Sequence, residues 1–469
     1  MDLKELLSHN LTQFPPSLSS NNGCMLRTTK ASLLHFFETT VPETLVEKSQ
    51  SGGALIVDAM AVVQELADLV PPTFGEMSIF ISRHIMKLGS FFNASRVDFV
   101  SDRYKAVSIK NAERNRRAGG AHHCVQRALN ACQKTPHQFR KYLMSGQNKE
   151  SLCLFLVCHW KTLQAEEFCG RTLFATHGNT CCMLSADTNN TIHAEDIAEL
   201  ECDHEEADTR LLLHANHASA QCPSVVIKSP DTDVFLLCIA NVNKLPCPLY
   251  FSTGCGNTSR LLFVNPVAEK FGPGVSEALV GFHAFTGCDS TSSLKGKGKV
   301  KPFQMMLQSQ IHVDTFAHLG DDWEMNPQQL QNLEEYVCRL YGQSTNSVNE
   351  ARLTIFKLTC ESDHSLPPNG DCLALHAQRA NYQAVIWRRC MTPITSVPSP
   401  LSHGWKADTN SDPPSLAVEW MKLLLRLLPW SSLSNVAARR AAAVPRDATV
   451  GVQAWRALTF VIVCSVTMS

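Results

Sequence analysis

Acidic residues follow short apolar runs at three places in this sequence. Asp58 follows the run at 54–57, while Asp102 and Asp231 stand just beyond two similar runs. Runs of this length and composition predict β-strands. In an open parallel sheet, ligands bind in the crevice outside the carboxyl ends of the strands. The three acids are therefore predicted to line one crevice, where their carboxylates would act together.

Four further acids complete this candidate site. Asp233 follows Asp231 by two residues, and Asp289 comes after a predicted helix. Glu206 and Asp208 stand at the start of another predicted helix. Hard cations such as Mg²⁺ and Mn²⁺ prefer oxygen ligands, and two of them about 3.5–4 Å apart can activate a water molecule and stabilise the leaving oxygen of a phosphodiester. Carboxylates that converge repel one another unless cations neutralise them, so the set predicts a two-metal site if its members meet.

Each acid also has an ordinary structural explanation. A residue after a strand is often a turn residue or a helix N-cap, which applies to Asp58 and Asp102. Acids in a first helical turn interact favourably with the helix dipole, which applies to Glu206 and Asp208. Taken singly, these explanations are at least as good as a metal site. The ordered set of acids favours the metal site.

Two basic segments provide candidate contacts to a phosphate backbone. Residues 103–117 hold six Lys or Arg residues against a single acid. In a helix, Lys110, Arg114 and Arg117 would share one face, and Arg116 lies beside them. A solvated helix face explains the same pattern, so both interpretations stay open.

The second basic segment alternates lysine with glycine. Lys295, Lys297 and Lys299 are separated by single glycines, which let backbone N–H groups approach a phosphate while the lysines attract it. The spacing is not that of a nucleotide-binding Walker A loop. A flexible basic turn is the alternative explanation.

Composition limits the class of protein. The chain has 469 residues with a formal net charge of −1, 44% apolar and 18% charged residues, so any polyanion contact must come from local patches. Nineteen cysteines without a Cys-x-x-Cys pair favour a reduced intracellular setting over a disulfide framework. The late apolar run at 458–466 is too short to span a bilayer, which indicates no membrane association. A nuclear location fits a protein that contacts a phosphate backbone, but no long basic run supports it.

The elements that must position the acids alternate along the chain. Short apolar strands and helical stretches predict an α/β fold with a central, mostly parallel twisted sheet flanked by helices, followed by a helical C-terminal part. We predict these parts in chain order: an N-terminal extension at 1–53, a central domain at 54–302 with a basic helical insertion at 103–150, a helical and loop region at 303–435, and a disordered tail at 436–469.

Five short motifs resemble the flap-endonuclease (XPG-like) branch of the PIN-like superfamily. They occur in the order and context of that family: Val57-Asp58-Ala59, Phe99 to Asp102, Glu206-Ala207-Asp208, Ser229 to Val234 and Gly287-Cys288-Asp289. The resemblance covers residues 54–302. It is greatest to the multicopy, asteroid-like PIN-domain proteins of animal genomes.

The resemblance implies a structure-selective, Mg²⁺- or Mn²⁺-dependent hydrolase of phosphodiester bonds in nucleic acid, with DNA as the expected partner, acting as an endonuclease or a 5′-exonuclease. It implies two ions, with Asp58, Asp102, Glu206 and Asp208 around the first. Asp231, Asp233 and Asp289 would serve the second ion. Because all seven acidic positions are filled by Asp or Glu, the sequence favours a catalytically competent site.

The resemblance also assigns roles to the basic segments. Lys110 and Arg117 would counter the charge of the transition state. Residues 283–302 would form a helix–turn–helix-like element that grips the nucleic-acid backbone, with a monovalent cation near Gly287 to Lys299. One feature departs from the family: 53 residues precede Ala54, where the family has the first catalytic strand at its N-terminus, which predicts an altered path for a free 5′ end.

Two alternatives remain open at this point. One is a catalytically inactive PIN-like module that binds nucleic acid or another protein, because a fold does not determine activity. The other is a metal-dependent phosphohydrolase that acts on small phosphoesters. The sequence identifies no protein partner.

Overall fold

The structure is a computed structural model that describes residues 3–10, 12–104, 108–109, 112, 127, 130–187, 189–359, 365–408 and 415–422. Among these residues, no helix combines the length and apolar character that crossing a bilayer requires. The cysteines in the described part of the chain are free thiols. The predicted tail at 436–469 lies outside the described ranges. Four predicted site residues also lie outside them: Lys110, Arg114, Arg116 and Arg117.

Nine strands of the described chain form one sheet. They are β1 (Leu45–Val46), β2 (Ala54–Asp58), β3 (Arg96–Val100), β4 (Thr172–His177), β5 (Thr180–Ala186), β6 (Ile192–Asp196), β7 (Val225–Lys228), β8 (Leu249–Thr253) and β9 (Arg260–Phe263). Their spatial order is β1-β9-β8-β7-β2-β3-β4-β5-β6. The five central strands, from β8 to β4, pair in parallel, and the pairs outside them are antiparallel.

Helices cover both faces of this sheet. They are α1 (Leu3–Leu7), α2 (Ala31–Thr40), α3 (Ala59–Glu65), α4 (Phe74–Phe91), α5 (Phe139–Tyr142), α6 (Gly146–Trp160), α7 (Ala207–Ser219), α8 (Thr232–Asn241), α9 (Asn265–Thr286), α10 (Val300–Met306), α11 (Gln310–His318), α12 (Pro327–Leu340), α13 (Val348–Thr359) and α14 (Gly370–Arg388). A small antiparallel pair, β10 (Trp405–Asp408) and β11 (Ser415–Val418), follows. The predicted α/β class, with a mostly parallel sheet and a helical C-terminal part, is confirmed.

The two faces of β2 pack against different helical layers. Leu55 and Val57 belong to the core that contains α3, α4 and α6. Ala54 and Ile56 belong to the core that contains α7, α8 and α9. Successive side chains of a strand point to opposite faces, and a strand buried on both faces is apolar throughout. Because both faces of β2 are buried, its polar residue, Asp58, lies at the carboxyl end of the strand.

The segment before β2 is part of the same core. Helix α2 buries Leu33, Leu34 and Phe37, and the centroid of the Phe37 ring lies 6.4 Å from that of Phe235 in α8. Strand β1 pairs with β9 and extends the sheet at its edge. The residues predicted as an N-terminal extension thus contribute to both the sheet and a helical layer. Their packing fixes where α2 begins.

Candidate metal centre

Asp58 ends β2 and begins α3. Its Oδ1 accepts hydrogen bonds from the backbone N–H groups of Met60, at 2.9 Å, and Ala61, at 3.0 Å. The N-cap explanation offered by the sequence is therefore confirmed for this residue. In the parallel pairing of β2 with β3, Asp58 lies opposite Val100, the last residue of β3. The cap thus fixes a carboxylate at the carboxyl edge of the sheet.

Asp102 joins the end of β3 to the start of α7. Its Oδ1 accepts a hydrogen bond of 2.8 Å from the N–H of Ala207, the first residue of that helix. Glu206 is the N-cap residue of α7, and Asp208 lies buried in its first turn. The hydrogen bond from Ala207 to Asp102 therefore brings Glu206 and Asp208 to the carboxyl end of β3.

Asp231 follows β7 and caps α8. Its Oδ1 accepts a hydrogen bond of 2.9 Å from the N–H of Asp233. One carboxylate oxygen from each of Asp208, Asp231 and Asp233 lies within 4.8 Å of the other two. Two motifs more than twenty residues apart in sequence thus place their acids in one cluster.

Repulsion between carboxylates marks the Asp58 side of this cluster. Burial, together with the neighbouring charges of Asp102 and Asp231, raises the pKa of Asp58 to about 6 against the lowering effect of the two cap bonds. A carboxyl group with its pKa raised by burial and by like charges is held in an environment that favours a cation or a proton. The acids from β2, β3 and β7 therefore lie close enough to influence one another electrostatically.

A lysine occupies the opposite side of the cluster. Lys30 Nζ lies 2.7 Å from Oδ2 of Asp233, 2.8 Å from Oδ1 of Asp289 and 3.7 Å from Oδ1 of Asp231. Burial by itself would lower the pKa of Lys30, but Asp233, Asp231 and Asp289 outweigh burial and raise it well above its ordinary value. Lys30 is therefore a permanent ammonium ion between these acids.

A histidine completes the surroundings of Asp233. His283, on α9, donates a hydrogen bond from Nε2 to Oδ1 of Asp233 at 2.7 Å. Burial, helped by the nearby Lys299, lowers the pKa of His283 to about 4, so the ring is neutral at pH 7 and carries its proton on Nε2. Burial would raise the pKa of Asp233, but His283 and Lys30 outweigh it and hold that pKa well below its ordinary value. Asp233 is thus a buried, ionised carboxylate with two donors.

The loop after α9 positions Asp289. Gly287 has φ +110°, and a Cβ at this residue would lie 2.8 Å from the backbone nitrogen of Ser293, so the loop turns tightly there. Arg27 donates from Nη1 to the carbonyl oxygens of Cys288 and Asp289, at 2.8 Å each. The segment before α2 therefore contacts this loop twice. Arg27 binds its backbone, and Lys30 pairs with the carboxylate of Asp289.

The lysines of the Gly-Lys segment differ in exposure. Lys295 is exposed, while Lys297 is half-buried with Nζ 3.7 Å from the centroid of the Tyr341 ring. Lys299 is buried and donates from Nζ to Oγ1 of Thr286, at 2.9 Å, and to the carbonyl of His283, at 3.2 Å. Burial lowers the pKa of Lys299 to about 7. The side chain of Lys299 thus points into the protein, and the predicted contact between Lys299 and nucleic acid stays a prediction.

Sequence reasoning missed both partners of Asp233. Lys30 is an isolated cation in a segment predicted as an extension, 203 residues from Asp233, and no local pattern marks it. His283 lies six residues before Asp289 in the predicted helix–turn–helix-like element, but was given no role. A histidine in the predicted helix, six residues before a candidate ligand, is the sequence signal that points to it.

Six of the seven predicted acids form one connected group. Asp58 is coupled to Asp102 and Asp231, Asp231 lies with Asp208 and Asp233, and Lys30 bridges to Asp289. The seventh, Glu206, stands beside them at the N-cap of α7. Their roles in metal binding and catalysis stay predictions.

The donor chemistry of this group suits a hard divalent cation at one side only. Carboxylate oxygens of Asp58, Asp208 and Asp231 are the ligands that Mg²⁺ and Mn²⁺ prefer. At Asp233 and Asp289 an ammonium ion already lies at hydrogen-bond distance from both carboxylates and offsets part of their negative charge. A second divalent ion there does not fit beside Lys30.

Comparison with known proteins adds little to this geometry. No protein-family model matches the chain, and no curated protein matches it. The solved structures similar to it include the catalytic core of Rad2 in complex with DNA substrate, at 11% identity and a TM-score of 0.31, over 73% of this chain and 98% of that one. With a TM-score this low, the likeness assigns neither a fold family nor a function.

Proposed function

We propose that this protein is a divalent-metal-dependent nuclease that hydrolyses phosphodiester bonds of nucleic acid at the carboxyl edge of its sheet. The observation that carries the proposal is the convergence of acids from three parallel strands and one helix. Asp58, Asp102 and Asp231 stand at the ends of β2, β3 and β7, and Asp208 joins them from α7. The raised pKa of Asp58 supports a site shaped to hold a cation.

The residues around this site have separate tasks in the proposed function. Asp58, Asp208 and Asp231 would hold the ion, which supplies charge neutralisation for the phosphodiester and lowers the pKa of a water molecule. Asp102 keeps the first turn of α7 in place by accepting the N–H of Ala207. The cap bonds of Asp58 and Asp231 hold their carboxylates in fixed orientations, so that little reorganisation is needed when the ion binds.

Nucleic acid is the substrate that the basic segments favour, and the motif resemblance adds DNA as the expected form. Residues 103–117 carry six cations immediately after Asp102, and Lys295 is exposed six residues after Asp289. Both basic segments thus adjoin acids of the site in sequence, and phosphate contacts of this kind supply sequence-independent affinity. The motif resemblance to flap endonucleases favours structure-selective cleavage near a 5′ end. A small phosphoester would need neither segment.

The test is cleavage of labelled single-stranded, flapped and duplex DNA by the purified full chain. We expect cleavage that requires Mg²⁺ or Mn²⁺ and stops in EDTA. Asp231→Asn should lower the rate by about 100-fold or more, because a ligand is lost while an asparagine can still cap α8. Asp314→Asn, an exposed acid on α11, is the matched control and should cleave normally. Equal metal-dependent rates for Asp231→Asn and the wild type would reject the proposal.

A catalytically inactive nucleic-acid-binding module is the second candidate, and Lys30 is the observation that favours it. In a two-metal nuclease, the negative charges of Asp233 and Asp289 would attract a metal ion. Here the ammonium ion of Lys30 already pairs with both carboxylates. Salt-dependent DNA binding with no cleavage under any divalent ion would select this candidate. Circular dichroism of the same sample would establish that the inactive protein is folded.

A further inference from the structure

The position of Lys30 resembles that of a bridging cation. Its Nζ lies 2.7 Å from an oxygen of Asp233 and 2.8 Å from an oxygen of Asp289, so one ammonium ion pairs with two carboxylates at once and offsets part of their negative charge. Charge-assisted hydrogen bonds of this length are the strong ones. The third carboxylate, that of Asp231, is 3.7 Å from the same nitrogen. The ammonium ion therefore stands between the acids that the family resemblance assigns to a second ion.

Burial makes this charge necessary. The side chain of Asp233 is 2% exposed, and that of Lys30 is 20% exposed. A buried ionised carboxylate requires a paired charge and hydrogen bonds, because removal from water is otherwise too costly. The neutral ring of His283 supplies a hydrogen bond but no charge. Lys30 is thus the cation that makes an ionised Asp233 tolerable.

The backbone around Lys30 is held in place on both sides. Lys30 is the N-cap residue of α2, whose Leu33 and Phe37 side chains are buried in the core. On the other side, Arg27 bonds the carbonyl of Asp289, and the carbonyl of Leu26 accepts the N–H of Ser293 at 2.9 Å. The segment and the loop after α9 are therefore fastened together. The backbone position of Lys30 is therefore fixed, and its side chain extends from there to the carboxylates.

We propose that Lys30 is a built-in cation that replaces the second divalent ion, so that this site binds a single Mg²⁺ or Mn²⁺ on its Asp58–Asp208–Asp231 side. This inference rests on the proposed function, because it specifies the metal content of the same site. Asp289 then acts as a positioning residue for Lys30 and holds no ion. Positive charge at the Asp233 side comes from the protein and is present whether or not an ion is bound.

The number of bound Mn²⁺ ions tests the inference directly. We would titrate the metal-free full chain with Mn²⁺ by calorimetry and count free Mn²⁺ by electron paramagnetic resonance. The wild type is expected to bind one ion per chain. Lys30→Met keeps the length and the apolar stem but removes the charge, and is expected to bind two ions. Lys48→Met, an exposed lysine of the same N-terminal segment, is the control and should bind one.

A second variant keeps the test decisive if Lys30→Met does not fold without metal. Asp289→Asn should leave the number of bound Mn²⁺ ions at one, because Asp289 holds Lys30 and not an ion. Asp231→Asn should weaken Mn²⁺ binding by about 10–100-fold. A loss of one bound ion in Asp289→Asn would overturn the inference.

Two further outcomes separate this inference from the function on which it rests. Two tightly bound ions in the wild type would reject the built-in cation and leave the proposed nuclease intact. No Mn²⁺ binding at millimolar concentration would reject the metal-dependent function and the inference together. A thermal melt with and without Mn²⁺ provides an independent readout, because Mn²⁺ should stabilise Lys30→Met more than the wild type.

Discussion

The two ends of the acidic group contrast sharply although both consist of aspartates. At the carboxylate end, formed by Asp58, Asp102, Asp208 and Asp231, the pKa of Asp58 is raised to about 6 by burial and by neighbouring acids. At the lysine end, formed by Asp233, Asp289 and Lys30, the pKa of Asp233 is held well below its ordinary value despite burial. Burial acts in the same direction on both residues. The charge of the neighbours decides the outcome.

This contrast shows why the number of acids does not give the number of ions. A carboxylate among other carboxylates favours a cation from solution, whereas one beside an ammonium ion has its counter-charge in the chain. Lys30 and His283 together occupy both oxygens of Asp233. The same substitution, Asp to Asn, should therefore have opposite effects on stability at the two ends.

The largest effect is expected at the lysine end. Asp233→Asn removes the charge that faces Lys30 and should lower the free energy of unfolding of the metal-free protein by about 3 kcal/mol, because a buried ion pair is broken on one side. Urea denaturation in EDTA measures it. A stability equal to that of the wild type would show that Lys30 is not held by Asp233.

A smaller effect of opposite sign is expected at the carboxylate end. Asp58→Asn removes a repelled charge and should raise the free energy of unfolding in EDTA by about 1–2 kcal/mol at pH 7.5, while an asparagine can still cap α3. The same variant should bind Mn²⁺ more weakly than the wild type. Destabilisation by Asp58→Asn would contradict the contrast between the two ends.

The pH dependence of this difference follows from the raised pKa of Asp58. Its folded pKa of about 6 exceeds the ordinary value of 3.8, so between these values the folded state binds more protons than the unfolded state. The contribution of Asp58 to stability is therefore full below about pH 4 and is lost as the pH rises through 6. Stabilisation by Asp58→Asn should be larger at pH 7.5 than at pH 5. Subtracting the wild-type curve cancels the titration of the histidines.

The smallest effect concerns the exposed lysine beyond the lysine end. Lys295→Ala should weaken DNA binding by less than tenfold and reduce the slope of log affinity against log salt by about one, as expected for one phosphate contact. Fluorescence anisotropy at several salt concentrations measures both. Lys48→Ala, also exposed, should leave the slope unchanged. An unchanged slope for Lys295→Ala would remove this residue from the nucleic-acid interface.

Much of the fold could be predicted from local patterns. The strand predicted from the apolar run before Asp102 is found as β3, and the helix predicted to start at Glu206 and Asp208 begins at Ala207 behind its cap, Glu206. The apolar segment after Asp231 forms the helix α8, with Asp231 as its capping residue. Short apolar runs and capping residues act through neighbours in the chain, so the sequence carries their information.

The exposure of the Gly-Lys segment could not be predicted in the same way. Single glycines between lysines indicate an exposed basic turn, which applies to Lys295. Lys299 has the same local sequence but is buried, where Thr286 and the carbonyl of His283 accept its hydrogen bonds. These acceptors lie 13 and 16 residues away in the chain, beyond the range of a local pattern.

The sequence by itself indicated the parallel strands and therefore the meeting of acids at their carboxyl ends, because continuous apolar runs predict strands buried on both faces and the helices between them predict parallel pairing. Only the tertiary structure decided which acids have a counter-charge within the chain and which require a cation from solution. Lys30 reaches Asp233 across 203 residues because α2 packs into the core and places its first turn beside the loop of Asp289. Electrostatic pairing depends on distances of a few ångström, and only the packing of remote segments sets those distances.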